Sequence, residues 1–123
     1  MTAVCYALPP VRGKLTHGAP LAPLVWFKSG GAAGTIQDVT VTGALDPETG
    51  FIVDLGLLDR VLAEEVLERF DHRNINVDVP EFADGALIPS GENLARFICD
   101  RVQERLGEAA EVVSVTIAED DTL

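Results

Sequence analysis

The chain has 123 residues, a formal net charge of −11 at pH 7 and 47% hydrophobic residues. The length predicts one domain spanning residues 1–123, and the hydrophobic content is enough for a packed core, which excludes a disordered acidic tail. Nine Lys and Arg stand against 20 Asp and Glu, so we expect neither nucleic acid nor an anionic membrane as partner. No apolar run reaches the ~18 residues of a membrane helix. Two cysteines give no disulfide framework, so we expect a cytoplasmic protein.

Two short apolar runs lie in the first part of the chain. Residues 3–8 and Leu24–Phe27 each predict a strand, and Pro23 limits the second to a sheet edge because proline cannot donate a ladder hydrogen bond. The stretch 12–18 between them is polar and contains glycine, and its pattern assigns it to no element. Residues 29–34 are small and predict a loop.

A clearer strand pattern begins at Thr35. Ile36, Val39 and Val41 are spaced as the inward residues of a strand, although the alternation slips near Asp38. Asp-Pro-Glu-Thr-Gly at 46–50 then predicts a turn, because proline fixes φ and glycine permits a positive φ.

Two helices and a last strand follow. Asp54 is predicted to cap a helix that runs to about Phe70, and its Glu-rich face is predicted to lie in solvent. The stretch 71–88 predicts no regular structure. Ser90 is predicted to cap a second helix that ends at Gly107. The last strand has its inward residues at Val113, Val115 and Ile117.

The order of elements indicates an α+β fold with an antiparallel sheet rather than alternating βαβ units. Two helices can cover one face of so small a sheet and leave its edges open. Small open sheets commonly pair with neighbouring copies, so we expect an oligomer.

Several segments between Gly43 and Asp121 resemble the 6-pyruvoyltetrahydropterin synthase family, which includes the bacterial 6-carboxytetrahydropterin synthases. They are a glycine before a DPxTG turn, a helix entry, a segment like Leu-Asp-His, a second helix opening and a closing strand that ends in glutamate. In this chain they are Gly43, Asp46–Gly50, Phe51–Leu55, Phe70–Asn76, Pro89–Asn93 and Glu119.

The resemblance implies the tunnelling fold (T-fold), an antiparallel sheet with two helices packed on one face. In this fold trimers of subunits build a barrel and two trimers stack, which implies a homohexamer with sites at subunit interfaces. In the family a further strand follows the closing strand, and Leu24–Phe27 could take the place of that further strand here.

The family binds zinc through three histidines, and two of them form a His-Gly-His at the start of the second strand. Counting back from Gly43 places that pair at Gly31 and Ala33, neither of which carries a ligand. The family's catalytic cysteine also has no counterpart between Cys5 and Cys99. We therefore predict no zinc and no other cofactor, with His17 left open as a match to the first histidine.

The resemblance assigns substrate binding to Glu119, with Ser90, Gly91 and Glu92 nearby. A carboxylate can accept two parallel hydrogen bonds from the amino and N–H edge of a pterin, and a helix N-terminus offers free N–H donors. The alternatives are an acidic tail for Glu119 and plain helix capping for the other three residues.

The resemblance also assigns acid–base catalysis to Asp71 and His72, since the carboxylate can orient the imidazole. The alternative is a histidine that packs locally in a loop.

Five other residues have simpler interpretations. Cys5 and Cys99 are predicted to be small apolar residues, and His17 a surface residue. Trp26 and Phe27 could stack on a flat heterocycle, but a core or interface role accounts for them better.

The sequence leaves three functions open. The main hypothesis is a pterin-synthase homologue that binds a pterin-like ring and has lost zinc-dependent triphosphate elimination. The second is a working lyase on 7,8-dihydroneopterin triphosphate, with an unrecognised metal site and help from Arg60 or Arg73 in attracting the triphosphate. The third is a structural or regulatory oligomer with a vestigial pocket.

Overall fold

The computed structural model describes residues 12–17, 24–27, 33–83, 87–88 and 90–119. Four strands and four α-helices occur in these residues, with a π-helical segment at Ala63–Leu67 between the first two helices. The strands are β1 (Arg12–His17), β2 (Leu24–Phe27), β3 (Ala33–Ala44) and β4 (Glu111–Glu119). The helices are α1 (Leu55–Leu62), α2 (Glu68–Phe70), α3 (Pro80–Ala83) and α4 (Gly91–Leu106). The predicted strand at residues 3–8 lies outside the described residues.

β3 is the centre of a four-stranded antiparallel sheet. β1 pairs with the second half of β3, from Val39 to Ala44, and β2 pairs with its first residues, from Ala33 to Ile36. β1 and β2 therefore lie one after the other along one edge of β3, while β4 pairs with the other edge. The antiparallel α+β class predicted from the sequence is confirmed.

Two strands differ from the sequence interpretation. The polar stretch 12–18, which the sequence pattern left unassigned, contains a strand, because β1 has a partner in β3 for every residue from Arg12 to His17 and Thr16 hydrogen-bonds Thr40 through the hydroxyls at 2.8 Å. Leu24–Phe27 does form a strand, but it pairs with β3 and not with β4, so it does not extend the sheet where the family's last strand would.

Irregularities in the pairing of β3 with β4 set which residues face inward. One lies between Ile36 and Asp38, where the sequence alternation slips. The other leaves Val113 unpaired between Val112 and Ser114, so Val112 is buried and Val113 is 47% exposed. The prediction that Val113 faces inward is wrong, because the extra residue of a bulge shifts the alternation by one.

The helical region that begins after Asp54 ends at Phe70, as predicted. The Asp54 side chain accepts a hydrogen bond from the Gly56 N–H at 3.0 Å and caps α1. Ser90 caps α4 through the Asn93 N–H at 3.2 Å, and Gly107 ends it with a φ of +58°. The four-residue helix α3 lies in the stretch 71–88, for which we predicted no regular structure.

Helices and sheet share a single apolar core. α4 packs on β4 and α1, and the π-helical segment also contacts α4. Trp26, Ile36 and Val39 from the sheet are buried in one cluster with Leu58, Phe70 and Ile98 from the helices. The side chains of Thr16 and Ser114 in the sheet are exposed instead, whereas Thr40 is buried. Within the described ranges, no helix combines the length and apolar character needed to span a membrane.

Candidate functional site

Asp71 and His72 form a carboxylate–imidazole pair at the end of α2. Asp71 has extended backbone angles that end the helix, and His72 has a φ of +57°. The Nδ1 atom of His72 lies 2.8 Å from Oδ1 of Asp71, and the two side chains are 70% and 35% exposed. The pair predicted from the sequence is therefore in contact, with the imidazole accessible from solvent.

The pair is attached to the outer edge of β2. The His72 N–H donates to the carbonyl oxygen of Val25 at 2.6 Å, and the Val25 N–H donates to Oδ1 of Asp71 at 3.4 Å. These contacts join residues that are 46 and 47 positions apart in the chain, so sequence reasoning missed them.

The main chain of Glu119 lies across the sheet from the start of β3. Glu119 is the last residue of β4 and its Cα partner is Gly34, next to Ala33. The predicted pterin-binding position and one of the two family zinc-ligand positions thus come together at the same end of the sheet.

Ser90, Gly91 and Glu92 form the beginning of α4. The Ser90 hydroxyl oxygen accepts the Asn93 N–H, and the Asn93 side chain donates to the Ile88 carbonyl oxygen at 2.9 Å. Helix capping, the alternative interpretation for Ser90, is therefore confirmed, and the Glu92 side chain is exposed. α4 packs on β4, and a short loop joins the end of α4 to the start of β4, so the two elements are antiparallel in space. The start of α4 therefore lies at the Glu119 end of the sheet.

The predicted site residues lie at the same end of the molecule, but they do not all contact one another. His72, Val25, Thr35 and Ala118 form a row in which each member is attached to or paired with the next. With neighbouring strands about 4.8 Å apart, His72 lies roughly 14 Å from β4. The carboxylate–imidazole pair and Glu119 are thus separated within one chain.

The donor set at the family's zinc positions does not fit a zinc ion. Ala33 begins β3 and has no ligand atom, and Gly31, also without one, lies outside the described residues. The Nε2 atom of His17 contacts Oδ1 of Asp59 on α1. Across the described part of the chain, no three His, Cys, Asp or Glu side chains form a group that could hold a metal.

Of the remaining candidate residues, those that the structure describes lie in the core or against it. Trp26 is fully buried in the core, as the simpler interpretation predicts, and its indole Nε1 has no hydrogen-bond partner among the described residues. Cys99 packs against the core, and burial, followed by the Asp100 charge, raises the pKa of its thiol. Cys5 and the side chain of Phe27 lie outside what the structure describes.

One glutamate on the helix face that we predicted to lie in solvent is buried instead. Glu65 is 8% exposed and contacts three arginines: Arg69 at 3.2 Å, Arg101 at 3.1 Å and Arg105 at 2.8 Å. Burial alone raises the pKa of Glu65, but hydrogen bonds from Arg105 and Arg101 and the charges of Arg101 and Arg69 outweigh it, so the pKa lies below its ordinary value. The prediction of a solvated face is wrong for Glu65 because its partners Arg101 and Arg105 lie on α4.

A cavity of about 540 Å³ lies between the end of α4 and the start of β4, away from the predicted site residues. Gln103, which lines it, donates to the carbonyl oxygens of Gly107 and Ala110 and accepts from the Val112 N–H. Its side-chain amide is thus engaged in fixing the loop that joins α4 to β4, and the cavity contains none of the predicted site residues.

The fold and the candidate site define an α+β protein in which a carboxylate–imidazole pair lies beside one end of an antiparallel sheet. The model of the family described as 6-pyruvoyl tetrahydropterin synthase matches residues 35–123. The chain belongs to this family, which confirms the resemblance drawn from the sequence.

Individual relatives agree over part of the chain. Human 6-pyruvoyl tetrahydrobiopterin synthase is 40% identical over 68 residues, covering 55% of this chain and 46% of that protein. The chain therefore spans less than half of the length of this relative. A UDP-N-acetylenolpyruvoylglucosamine reductase of Sphingopyxis alaskensis is 88% identical over 26 residues, which cover 21% of this chain and 9% of the reductase. This match shows a shared short segment and not a reductase architecture.

The structure of Caenorhabditis elegans 6-pyruvoyl tetrahydropterin synthase has the same fold. The TM-score is 0.59 with 16% sequence identity, and the match covers 95% of this chain and 100% of the worm chain. At this identity the likeness supports the T-fold alone.

Proposed function

We propose that the chain is a divergent member of its family that binds a pterin or a related heterocycle and has lost zinc-dependent triphosphate elimination. The observation that carries the proposal is the pairing of Asp71 with His72 in a family member whose zinc-ligand positions hold Gly31 and Ala33. A cytoplasmic location belongs to the same proposal.

Glu119 is the proposed anchor of the heterocycle. Its carboxylate can accept hydrogen bonds from two parallel donors, the geometry that the amino group and ring N–H of a pterin present. The Ser90 N–H donates to the carbonyl oxygen of Ile88 at 2.8 Å, so the further donors at this end of the sheet are the N–H groups of Gly91 and Glu92 at the start of α4. These donors can coexist with capping by Ser90, since its hydroxyl uses the Asn93 N–H.

His72 is the proposed proton-transfer group. Its Nδ1 is engaged by Asp71, which leaves Nε2 as the ring nitrogen open to a bound molecule. An imidazole oriented by a carboxylate can accept or donate a proton near neutral pH without a metal. Gly31 and Ala33 supply no metal ligand, so no step of the proposed chemistry passes through zinc.

A homohexamer completes the proposed site. Among the described strands β4 pairs only with β3, so its outer edge can pair with another copy. Because about 14 Å separates His72 from β4 in one subunit, we propose that a bound heterocycle contacts Glu119 of one subunit and His72 of another. Equilibrium sedimentation tests the assembly, and a monomer at micromolar concentration contradicts it.

Calorimetry with neopterin or biopterin on the full chain tests the binding proposal. We expect binding by the native chain and at least about a tenfold loss in Glu119→Ala, since a hydrogen bond to a charged group contributes about 1.5–3 kcal/mol. Glu111→Ala is the matched control, because it removes the same side chain at the opposite end of β4.

Metal analysis and an assay of triphosphate release from dihydroneopterin triphosphate separate the alternatives. The proposal expects no stoichiometric zinc and no triphosphate release. One zinc per chain together with release identifies a working lyase. The absence of pterin binding, with Glu119→Ala unchanged, identifies a structural or regulatory oligomer.

A further inference from the structure

Val25 presents its main chain to the Asp71–His72 pair rather than to the sheet. In an antiparallel ladder, alternate residues direct their N–H and C=O groups toward the neighbouring strand and away from it. Val25 is the Cα partner of Thr35, yet its N–H donates to Asp71 and its carbonyl oxygen accepts from His72. It therefore occupies an outward position of edge strand β2, and both of its outward groups are used by the pair.

The two contacts act on different parts of the pair. The 2.6 Å bond from the His72 N–H to the Val25 oxygen holds the backbone of a residue with a φ of +57°. A left-handed conformation costs a non-glycine residue about 1–2 kcal/mol, so it needs support from elsewhere in the fold. The Val25 N–H points to Oδ1 of Asp71, the oxygen that also contacts Nδ1 of His72.

We propose that Val25 is a positioning residue, which through its main chain fixes His72 with the proton on Nδ1 and leaves Nε2 open. An ionised carboxylate oxygen only accepts hydrogen bonds, so the ring nitrogen facing Asp71 must carry the proton. Holding Oδ1 in place selects this tautomer of the neutral imidazole. β2 precedes the residues 35–123 that match the family model, so this support comes from outside the matched region. The proposal rests on the proposed function only in naming Nε2 as the reactive atom.

Val25→Pro removes the outward N–H and preserves the β2–β3 ladder bonds, because proline is tolerated where the N–H faces away from the sheet. Val25→Ala is the matched control, since it shortens the side chain and keeps the N–H. Nitrogen-15 NMR of the histidine rings, at a pH where they are neutral, reports the tautomer of each. We expect the Nδ1–H form of His72 in the native chain and in Val25→Ala, and its loss to a mixture with the Nε2–H form in Val25→Pro. His17 contacts Asp59 from β1 and serves as the internal reference.

A native-chain measurement keeps the proposal testable if Val25→Pro does not fold. We expect a scalar coupling across the hydrogen bond between the His72 amide nitrogen and the Val25 carbonyl carbon. An unchanged tautomer in folded Val25→Pro, or the absence of this coupling, overturns the proposal. No pterin or metal takes part in either measurement, so a failure of pterin binding is a separate result.

Discussion

Gly34 lies directly against the indole of Trp26. The two residues are Cα partners in β3 and β2, and a Cβ atom on Gly34 would lie 2.5 Å from Cζ2 of Trp26. It would also lie 2.6 Å from the carbonyl oxygen of Ala118 in β4. Trp26 is fully buried and the Ala118 oxygen belongs to the main chain of a paired strand, so neither neighbour can move without disturbing the core or the sheet. The indole can pack here only because Gly34 has no side chain.

We therefore expect Gly34→Ala to lower the free energy of unfolding by about 2–3 kcal/mol, the upper part of the range for an overpacked core. Urea unfolding followed by circular dichroism measures it. Gly56→Ala is the control, because its Cβ would lie 3.4 Å from Oδ1 of Asp54 and alanine favours the helix by up to about 1 kcal/mol. Equal stability of the two variants would contradict the close packing of Trp26 on Gly34.

The elements predicted correctly from the sequence have strong local signals. Asp54 and Ser90 are capping residues placed immediately before apolar repeats, and Gly107 ends α4 with a positive φ. β1 lacks such a signal, since Leu15 is its one inward apolar residue and its pairing depends on β3. The bulge at Val113 likewise depends on the register with β3, which no single strand encodes.

The candidate site shows the same division. Asp71 and His72 are neighbours in the chain, so their contact could be predicted, and the family pattern supplied their role. The attachment to Val25 uses main-chain atoms, which leave no trace in residue identity. The burial of Glu65 depends on arginines 36 and 40 positions later, so its own helix predicted the opposite environment.

The pH dependence of stability gives a test of the cluster around Glu65. Its arginine partners hold the pKa below the ordinary value, so the folded state stabilises the carboxylate. This contribution is complete above the unfolded-state pKa of about 4.5 and is lost as the pH falls through the lower folded-state pKa. We expect the free energy of unfolding to fall as the pH is lowered below about 4.5, measured by urea unfolding at each pH.

Glu65→Gln isolates this part of the acid response. At neutral pH we expect a loss of stability smaller than the ~3–5 kcal/mol of a fully buried pair, since the arginines lose their shared charge partner but are partly exposed, and Arg69 and Arg105 keep Glu81 and Glu64. The stability of this variant should fall less steeply with acidification than that of the native chain. Glu68→Gln, at an exposed position on the same helical region, should leave the slope unchanged. Parallel slopes for the native chain and Glu65→Gln would contradict the role of the cluster.

The reactivity of Cys99 is expected to be low in the folded chain. Burial, followed by the negative charge of Asp100, raises the pKa of the thiol, and alkylating reagents attack the thiolate. At neutral pH we expect iodoacetamide to modify Cys99 at least about tenfold more slowly than in urea-unfolded protein. Peptide mass spectrometry distinguishes it from Cys5.

Asp100→Asn refines this test, because it removes the charge and leaves the burial of the thiol in place. A small acceleration in this variant, with Cys99 still slower than in unfolded protein, agrees with burial as the larger cause. Equal rates in folded and unfolded protein would show that the thiol is open to solvent.

The left-handed backbone of His72 can be tested separately from its imidazole. Asparagine adopts this conformation more readily than most non-glycine residues, whereas a β-branched residue resists it, so the variants differ in backbone cost. We expect Val at position 72 to destabilise the chain by about 1–2 kcal/mol relative to Asn. Urea unfolding of His72→Asn and His72→Val gives the difference directly, and both variants lose the imidazole. If they are equally stable, His72 does not hold a φ of +57° in solution, and the main-chain bond to Val25 cannot be what orients the pair.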